Sequence, residues 1–412
     1  MKIYLLSLIL LPYVLQSQNN ESSPSKKVVF IIVDGISFDQ LKAASTPNLD
    51  LIGAEGGFTE AYVGGVPETY SATPTISAVG YNSLLTGTWA NKHNVYGNEI
   101  KKPNYNYPSI FELYKRDRPH GTIAVFSSWL DNRTKLVGDG LAATGPVNVD
   151  FSFDGLEQDT LNYPHDKKRN FMKLIDLNVA LNASETILNE GPDVSWVYLE
   201  FTDDMGHAHG DSPLLNAAIT FEDGLIGKLY KAVQNRQKAF DEDWMFVVTT
   251  DHGRSAINGM GHGGQTPRER STWIVTNVKN TNAYFKMQIP GIVDILPTMI
   301  DFLQIEVPQN IKREFDGVSL ISDVDATNLK GTIEKNSLSL TWKNHSSKND
   351  IAKIYISTTN LFNTGNEDVY TLLGEVNLKE EHYKKAIKNL KSGFYKVVLE
   401  SKNTTLNYWI TN

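Results

Sequence analysis

Five segments in the first two-thirds of the chain are almost continuously apolar, and each predicts a buried strand. Runs of this kind between polar loops are typical of strands that are buried on both faces of a mostly parallel sheet. Amphipathic stretches lie between them, which indicates helices flanking a central sheet and therefore an α/β fold. The predicted strands are Val28–Val33, Thr122–Ser127, Val194–Phe201, Trp244–Thr250 and Thr272–Thr276.

One of the predicted helices has a well-defined start. Ser212 followed by Pro213 is typical of an N-cap and a first-turn proline. The apolar positions that follow recur at helical spacing and predict a long helix with one buried face. These positions are Leu215, Ala218, Ile219, Leu225, Ile226 and Leu229.

The pattern changes after about Leu320. Residues 321–328 are polar and linker-like, and short strand-like runs separated by turn-rich pieces follow them. The run Ser337–Trp342 alternates with period two, and three further runs cover Ile351–Ser357, Phe394–Leu399 and Thr405–Ile410. This predicts a small antiparallel β-sandwich, similar to a fibronectin type III domain. We therefore expect a large domain over residues 27–322 and an accessory sandwich over residues 328–412.

The N-terminus has the features of an export signal. Lys2 is followed by an apolar run from Ile3 to Leu15, which is too short to span a bilayer. We expect residues 1–18 to be a signal peptide, with a periplasmic or secreted mature protein. The chain contains no Cys, which excludes disulfides, Cys-ligated zinc and a thiol nucleophile. No other segment is long and apolar enough to predict a membrane span.

Length and charge set further limits. A chain of 412 residues exceeds what one core usually organises, which favours two domains. Lys and Arg number 39 against 47 Asp and Glu, for a net charge of -8. This mild acidity gives no electrostatic footprint for a nucleic-acid polymer or an anionic membrane surface. An anionic substrate would need positive charge supplied locally, and a bound metal is the obvious source.

Carboxylates and imidazoles follow several of the predicted strands. In open α/β sheets, ligands bind outside the carboxyl ends of the strands. Each of these residues alone is weak evidence for a site, because Asp-Gly is a common turn signal and a lone His is more often a surface residue. Together they predict a metal site, since Asp and His in the absence of Cys suit zinc held by nitrogen and oxygen. The residues are Asp34, Asp203, His207, Asp251, His252 and His262.

These segments resemble the alkaline phosphatase superfamily, and in particular its nucleotide pyrophosphatase/phosphodiesterase branch (type I phosphodiesterases). The resemblance covers about residues 27–320 and implies an alkaline phosphatase-like fold. It is carried by Val33-Asp34-Gly35, Thr46-Pro47-Asn48-Leu49, Ser83-Leu84-Leu85-Thr86-Gly87, Asn91-Lys92-His93-Asn94-Val95, Asp203-x-x-Gly-His207, Asp251-His252-Gly253, Gly261-His262-Gly263, Asp294-Ile-Leu-Pro-Thr298 and Asp316-Gly-Val-Ser-Leu320.

The resemblance implies two zinc ions per chain. The first would be held by Asp34, Asp251 and His252 and would also bind the nucleophile. The second would be held by Asp203, His207 and His262. Three protein ligands per ion leave open positions for a substrate oxygen or water. Asp204 is an alternative to Asp203, although the family spacing to His207 favours Asp203, and His209 is more typical of a supporting or exposed residue.

The resemblance also implies a nucleophile and an oxyanion ligand. Counting back from Thr86-Gly87 by the family spacing leads to Ser77 as the nucleophile, which would also bind zinc. Counting forward leads to Asn98, where the family has an Asn that binds a phosphoryl oxygen. Thr73 and Thr75 remain rivals, with helix capping as their alternative role. Ser77-Ala-Val-Gly departs from the branch's usual Thr-x-Pro-Asn, which leaves the local substrate contacts open.

The expected function is a phosphodiesterase or nucleotide pyrophosphatase that hydrolyses a small-molecule phosphate ester through a phospho-seryl intermediate. A metal activates a hydroxyl nucleophile, and two metals stabilise the entering and leaving oxygens. A phosphomonoesterase of the same fold is the alternative, and the absence of Lys or Arg between Ser77 and Lys92 favours the diester. A sulfatase is disfavoured because no Cys/Ser-x-Pro-x-Arg pattern occurs. The alternative from another class is a non-catalytic protein that binds a surface or a glycan.

Overall fold

The computed structural model describes residues 24–387 and 392–411. The predicted signal peptide, residues 1–18, lies outside the described residues. The strands of the large domain are β1 Ser25–Val33, β2 Gly57–Tyr62, β3 Ile123–Ser127, β4 Phe151–Phe153, β5 Val194–Leu199, β6 Glu242–Thr249 and β7 Ser271–Thr276.

Helices alternate with these strands, as the apolar pattern predicts. The longest, α8, begins at Pro213, and the Ser212 side chain accepts a hydrogen bond from the Leu215 amide, so the predicted N-cap is confirmed. The helices are α1 Phe38–Ala43, α2 Pro47–Glu55, α3 Ser77–Thr86, α4 Ala90–His93, α5 Ile110–Asp117, α6 Asn170–Asn189, α7 Phe201–His209, α8 Pro213–Ala239, α9 Ala283–Met287, α10 Ile295–Leu303 and α11 Gln309–Lys312, together with a π-helical turn at Asn132–Val137.

The large domain is built on a sheet of seven strands in the order β2-β7-β6-β1-β5-β3-β4. Strands β6, β1, β5, β3 and β4 run parallel, and β7 is antiparallel to both of its neighbours. The prediction of a mostly parallel central sheet flanked by helices is therefore confirmed. Since β6, β1 and β5 are adjacent and parallel, the residues that follow them lie together at one edge.

Two apolar layers cover the faces of this sheet. Alternate residues of β1 point to opposite layers: Val28, Phe30 and Ile32 pack in one, and Val29 and Ile31 in the other. A strand buried on both faces needs apolar residues at every position, which explains the uninterrupted run in the sequence. Among the described residues, no helix has both the length and the apolar character that crossing a bilayer requires.

Two sequence-based expectations differ from the structure at this sheet. The predicted strand Val194–Phe201 ends at Leu199, and Phe201 instead begins α7. Strand β2 was not predicted because it is an edge strand whose residues are mostly half-buried, so it lacks a continuous apolar run. The short strand β4 at the opposite edge was missed for the same reason.

The C-terminal part forms two antiparallel sheets, one of four strands and one of three. Residues from both sheets share a single apolar core that includes Leu340, Ile354 and Val397. The first of these strands begins at Ala326, inside the segment that reads as a linker. The strands are β8 Ala326–Glu334, β9 Ser337–Asn344, β10 Ile351–Ser357, β11 Thr371–Asn377, β12 His382–Ala386, β13 Phe394–Glu400 and β14 Thr405–Thr411.

Candidate metal centre

The carboxyl ends of β1 and β6 deliver the first group of predicted site residues. Asp34 follows β1 directly, and Asp251-His252 follow β6, whose end is in register with β1. Gly35 adopts a positive φ of 70°, and a Cβ there would lie 2.7 Å from the guanidinium of Arg254. The Gly35 amide donates to Asp251 Oδ1 at 3.0 Å. The turn after β1 therefore holds both carboxylates at one point of the edge.

The end of β5 and the loop before β7 deliver the second group. Asp203 lies in the first turn of α7, and His207 follows four residues later on the same helix face. His262 reaches the site from the loop between β6 and β7, and its Nδ1 lies 2.9 Å from the carbonyl oxygen of Thr75. That acceptor requires the proton on Nδ1 and leaves Nε2 facing the site. His207 Nε2 and His262 Nε2 are 3.1 Å apart.

Ser77 is the first residue of α3 and lies beside the first group. Its Oγ is 3.4 Å from His252 Nε2. The same nitrogen is 3.3 Å from Asp34 Oδ1 and 3.3 Å from Asp251 Oδ2. A Cβ at Gly80 would lie 2.6 Å from the Asp251 carbonyl oxygen, so glycine allows α3 to pack against the end of β6. Three potential oxygen ligands thus surround one imidazole nitrogen.

Asn98 meets the start of α3 from the loop after α4. Its side-chain Oδ1 accepts a hydrogen bond of 3.0 Å from the Ala78 amide. Asn98 is exposed, and the orientation of its amide leaves the NH₂ group free to donate to a ligand beside Ser77. The structure therefore brings all eight predicted site residues to one edge of the sheet.

The geometry of these side chains fits divalent cations. Two sets of potential ligand atoms lie within 4.8 Å of one another: Asp203, His207 and His262 form one, and Asp34, Asp203 and His252 form the other. Asp203 belongs to both, so the two sets are contiguous. Among the described residues, Asp34 Oδ1 and Asp251 Oδ2 are buried without a hydrogen-bond donor. Buried carboxylate oxygens in that condition are costly unless a cation meets them.

The electrostatics of the cluster reflect its excess of carboxylates. Burial, followed by the charge of Asp34, raises the pKa of Asp251 well above its ordinary value. Burial alone would lower the pKa of His252, but the charges of Asp251 and Asp34 outweigh it and raise the pKa to about 9. The His252 proton then serves as a counter-ion that a bound metal would replace, since a divalent cation reverses this pKa pattern.

The second group is arranged around a buried arginine. Burial alone would raise the pKa of Asp203, but its hydrogen bond with His207 and the charge of Arg254 hold it below its ordinary value. Burial and the charge of His252 lower the pKa of His262 to about 4, which keeps that imidazole neutral and able to bind a metal. The rings of His252 and His262 are stacked with centroids 3.8 Å apart.

Several supporting residues were not predicted from the sequence. Arg254 is fully buried, binds Asp203 and donates to the Gly35 carbonyl at 2.8 Å. Tyr81 and Tyr198 both donate to Asp34 Oδ2, the latter at 2.6 Å, so the outer oxygen of Asp34 is already satisfied. Arg254 follows the predicted ligand His252 by two residues, and this closeness in sequence is the signal by which it could have been predicted. The two tyrosines lie within apolar runs, and such runs predict only buried core positions.

The remaining alternatives occupy other positions. Asp204 lies 3.5 Å from Arg169 and belongs to neither set of ligand atoms, and His209 is half-buried at the end of α7. The Thr73 hydroxyl donates to the Ser71 carbonyl, and the Thr75 hydroxyl donates to the Gly264 carbonyl, each at 2.8 Å. Both threonine hydroxyls thus bind loop carbonyls instead of capping a helix.

Comparison with solved structures supports the fold. Murine ectonucleotide pyrophosphatase/phosphodiesterase 5, solved as an inactive variant in complex with AMP, is 14% identical with a TM-score of 0.50, over 69% of this chain and 96% of that one. A putative sulfatase from Bacteroides thetaiotaomicron is 12% identical with a TM-score of 0.51, over 87% of this chain and 86% of that one. At this level of identity the likeness is one of fold.

The class of protein follows from the fold together with a family match. The chain has the alkaline phosphatase-like fold. The model of the family "Type I phosphodiesterase / nucleotide pyrophosphatase" matches residues 28–357, which is most of the chain. The protein therefore belongs to the type I phosphodiesterase/nucleotide pyrophosphatase family and is a hydrolase of phosphate esters.

A second, short match disagrees with the described part of its segment. The SHNi-TPR model matches residues 368–393. Repeats of the TPR type are pairs of helices. In the described part of that segment the chain instead forms the strands β11 and β12.

Proposed function

We propose that this protein is a two-zinc phosphodiesterase or nucleotide pyrophosphatase that acts through a phospho-seryl intermediate on Ser77. The main support for the proposal is the geometry around His252 Nε2. Asp34 Oδ1, Asp251 Oδ2 and Ser77 Oγ all lie within 3.4 Å of this nitrogen. A nucleophilic hydroxyl, two uncompensated carboxylates and an imidazole at one point are the parts of a metal-activated nucleophile.

We assign the ligands to two metal ions, as the family resemblance implies. Asp34, Asp251 and His252 would hold one zinc beside Ser77, and Asp203, His207 and His262 would hold the other. Bound zinc would lower the pKa of a coordinated hydroxyl and neutralise negative charge on the phosphoryl oxygens. The donor set favours zinc because it combines imidazole nitrogen with carboxylate oxygen in two compact groups.

Ser77 is the best supported of the hydroxyls. The Thr73 and Thr75 hydroxyls are each committed to a backbone carbonyl, whereas Ser77 Oγ has His252 as its neighbour at the cluster. Ser77 also begins α3, so the first amides of that helix point toward a bound anion. In the murine structure of similar fold that holds AMP, the inactive variant replaces a threonine with alanine.

The reaction proposed for these residues has two displacements. Ser77 Oγ loses its proton to solvent and forms a bond to phosphorus while the bond from phosphorus to the leaving oxygen breaks, and the leaving group departs as the first product. Water then attacks the phosphorus of the seryl phosphodiester, the bond to Ser77 Oγ breaks and the serine regains its proton. The second product is a phosphate monoester. The Asn98 amide donates to a non-bridging oxygen throughout, because its own carbonyl is anchored by the Ala78 amide.

The charges around Ser77 favour a diester. Lys92, the first cation after Ser77 in the sequence, is buried away from the cluster and bound to Asp316 at 2.6 Å. Arg254 is fully buried and committed to Asp203 and to backbone carbonyls. A monoester brings up to one more negative charge than a diester. A site in which Lys92 and Arg254 are both committed to other partners should therefore stabilise the diester transition state better.

The test compares zinc-loaded protein on bis(p-nitrophenyl) phosphate and on p-nitrophenyl phosphate at neutral to alkaline pH. We expect kcat/KM to be about tenfold higher for the diester, which corresponds to about 1.4 kcal/mol in barrier. Ser77→Ala should abolish the burst of p-nitrophenol, and wild-type protein that is acid-quenched during turnover of the diester should carry a p-nitrophenyl phosphoryl group on Ser77. A preference for the monoester would contradict the substrate class and direct attention to Arg169, which lies against Asp204.

Two rival functions have distinct signatures. A sulfatase would need the Cys/Ser-x-Pro-x-Arg pattern, and the chain instead has Ser77-Ala78-Val79-Gly80-Tyr81. A non-catalytic binding protein would hydrolyse neither ester after zinc loading. We also propose export through a signal peptide at residues 1–18, and N-terminal sequencing of the mature protein should place its first residue shortly after Gln18.

A further inference from the structure

The segment that leads to the nucleophile also orients one of the proposed zinc ligands. We call residues 64–77 the nucleophile segment. Its Thr75 carbonyl accepts the hydrogen bond from His262 Nδ1 at 2.9 Å. The Thr75 hydroxyl donates to the Gly264 carbonyl at 2.8 Å and accepts from the Gly263 amide at 3.0 Å. A displacement of Thr75 therefore moves Ser77 and His262 together.

Further back, the nucleophile segment is held by a succession of backbone contacts. The Thr73 amide donates to the Gly64 carbonyl at 3.0 Å, and the Thr73 hydroxyl donates to the Ser71 carbonyl at 2.8 Å. The Gln265 side chain donates to the carbonyls of both Gly64 and Thr73. Ser71, Thr73 and Thr75 are all buried, so the segment is packed along its length between Tyr70 and Ser77.

The C-terminal sandwich contacts the nucleophile segment at Tyr70. The Tyr70 ring is stacked on Trp409, with centroids 5.7 Å apart and the planes at 19°. It also meets Tyr408 edge-on at 5.2 Å. Aromatic pairs of this geometry contribute about 0.5–1.5 kcal/mol beyond the area that they bury. The residues just before Tyr70, at positions 66–68, are exposed, so the contact with β14 anchors an otherwise open loop.

Strand β14 also holds the chain on the other side of α3. The Lys92 ammonium group is fully buried and donates to Asn407 Oδ1 at 2.8 Å and to Asp316 at 2.6 Å. It lies 5.4 Å from the centroid of the Trp409 ring. Lys92 is in α4, six residues before Asn98. One strand of the sandwich therefore contacts both segments that flank α3, the one that ends at Ser77 and the one that leads to Asn98.

We propose that the C-terminal sandwich is part of the catalytic unit, because the stack of Tyr70 on Trp409 and Tyr408 positions Ser77 and the ligand His262. In this role Tyr70 and Trp409 are positioning residues that touch neither substrate nor metal. The inference rests on the proposed function for Ser77 and His262. The sandwich, which the sequence predicts to be accessory, would then have the specific role of positioning Ser77 and His262.

The first test removes the ring of Tyr70. Tyr70→Ala should lower kcat on bis(p-nitrophenyl) phosphate by at least about tenfold with little change in KM, since small misplacements of a nucleophile are costly. Tyr70→Phe keeps the stacked ring and loses only the hydrogen bond of the hydroxyl with the Trp409 backbone, so it should restore most of the wild-type kcat. Amide hydrogen exchange in residues 71–77 should be at least about tenfold faster in Tyr70→Ala than in wild type.

The second test uses a matched pair of tryptophans in the sandwich. Trp409 and Trp342 are 7% and 5% exposed, and Trp342 packs within the sandwich core and donates to the Leu378 carbonyl. Trp409→Leu and Trp342→Leu should both lower the melting temperature. Below that temperature, only Trp409→Leu should lower kcat and speed exchange in residues 71–77.

Three outcomes would overturn the inference. Tyr70→Ala could keep wild-type kcat and wild-type exchange in residues 71–77. Tyr70→Phe could fail to restore what Tyr70→Ala loses. The two tryptophan variants could lose kcat equally, as a general destabilisation predicts. If the wild-type protein hydrolyses no phosphate ester, the proposed function fails. Amide hydrogen exchange in residues 71–77 of the metal-free protein would still show whether Tyr70 and Trp409 position the nucleophile segment.

Discussion

Two buried clusters of charged residues differ in how their charges are balanced. The sheet-edge cluster joins the carboxylates of Asp34, Asp203 and Asp251 with Arg254 as the fixed cation among these side chains. The interdomain cluster joins Lys92 and Lys396 with the carboxylates of Glu314, Asp316 and Asp368. In the second cluster each carboxylate binds a lysine at 2.6–2.7 Å. Among the described residues, Asp34 Oδ1 and Asp251 Oδ2 of the first cluster are buried without a hydrogen-bond donor. Glu314 Oε2 of the second cluster also lacks a donor, but the other oxygen of that carboxylate binds Lys396 at 2.7 Å.

The difference separates a structural cluster from one that requires a ligand. Buried ions are tolerated when a partner of opposite charge and hydrogen bonds compensate for lost water. The interdomain cluster meets that condition with protein groups alone, and it joins the large domain to β13. The sheet-edge cluster meets it in part, through Arg254 and the protonated His252, and a bound metal would complete the compensation. We therefore propose the sheet-edge cluster as the functional site, and the interdomain cluster as part of the interface between the domains.

The largest expected effect comes from neutralising the sheet-edge cluster. Asp251→Asn keeps the shape of the side chain and removes the charge of a proposed metal ligand. Loss of groups that merely support a ligand already costs about 10–100-fold, so we expect kcat/KM on the aryl diester to fall more than about 100-fold. Steady-state kinetics with zinc analysis of the purified variant measures this.

The same variant should have the opposite effect on the metal-free protein. Because burial and Asp34 raise the pKa of Asp251, its ionised form destabilises the metal-free folded state at neutral pH. Metal-free Asp251→Asn should therefore resist urea better than metal-free wild type, while zinc should stabilise it less. Lower stability of the metal-free variant would contradict the idea of uncompensated charge.

Breaking the interdomain cluster should cost stability whether or not metal is bound. Lys396→Met leaves Glu314 and Asp368 buried without their cation, which typically costs about 3–5 kcal/mol. Urea denaturation with and without chelator should give the same loss. Lys384→Met is the control, because Lys384 is exposed on β12 and its replacement should change stability by less than about 0.5 kcal/mol. A loss that depends on zinc would contradict the separation of the two clusters.

A smaller effect concerns two buried imidazoles with opposite behaviour. Burial lowers the pKa of His93 to about 3, whereas the carboxylates raise that of His252 to about 9. Below pH 6.5 His93 binds a proton in the unfolded chain but not in the folded protein. Acidification therefore favours the unfolded chain, and the stability that neutral His93 contributes at pH 7 is lost. Between pH 7 and 5.5 this amounts to about 1 kcal/mol.

The His93 effect is measurable as a difference between two metal-free proteins. His93→Gln removes the titration, so its free energy of unfolding should fall less steeply than that of wild type between pH 7 and 5.5. Parallel curves for the two proteins would contradict this prediction, because they would show that the folded and unfolded states take up a proton at His93 equally. Metal-free samples keep zinc release out of the comparison.

Much of the fold could be predicted because the central strands are buried on both faces. Strands β1, β3, β5, β6 and β7 appear in the sequence as apolar runs with errors of a few residues at their ends. The edge strands β2 and β4 are partly exposed and give no such run. In the sandwich, β8 was missed because its alternation begins inside a polar stretch, and β11 and β12 have few buried positions.

The candidate site could be predicted as far as its residues follow strand ends. Asp34, Asp203 and Asp251 stand at ends of adjacent parallel strands, so their proximity follows from the sheet. Contacts across the fold give no such signal. The Thr75 carbonyl that orients His262 is a backbone atom, and the stacking of Tyr70 on Trp409 joins residues that are far apart in the chain. Such contacts depend on the packing of whole domains.

Zinc binding by the sheet-edge cluster is the most direct test of the account. Metal-free protein should be titrated with zinc while bound metal and hydrolysis of bis(p-nitrophenyl) phosphate are followed together. We expect two zinc ions per chain, activity that appears as they bind, and its loss on chelation. A protein that binds no zinc and hydrolyses the diester equally well in the presence of chelator would contradict the account.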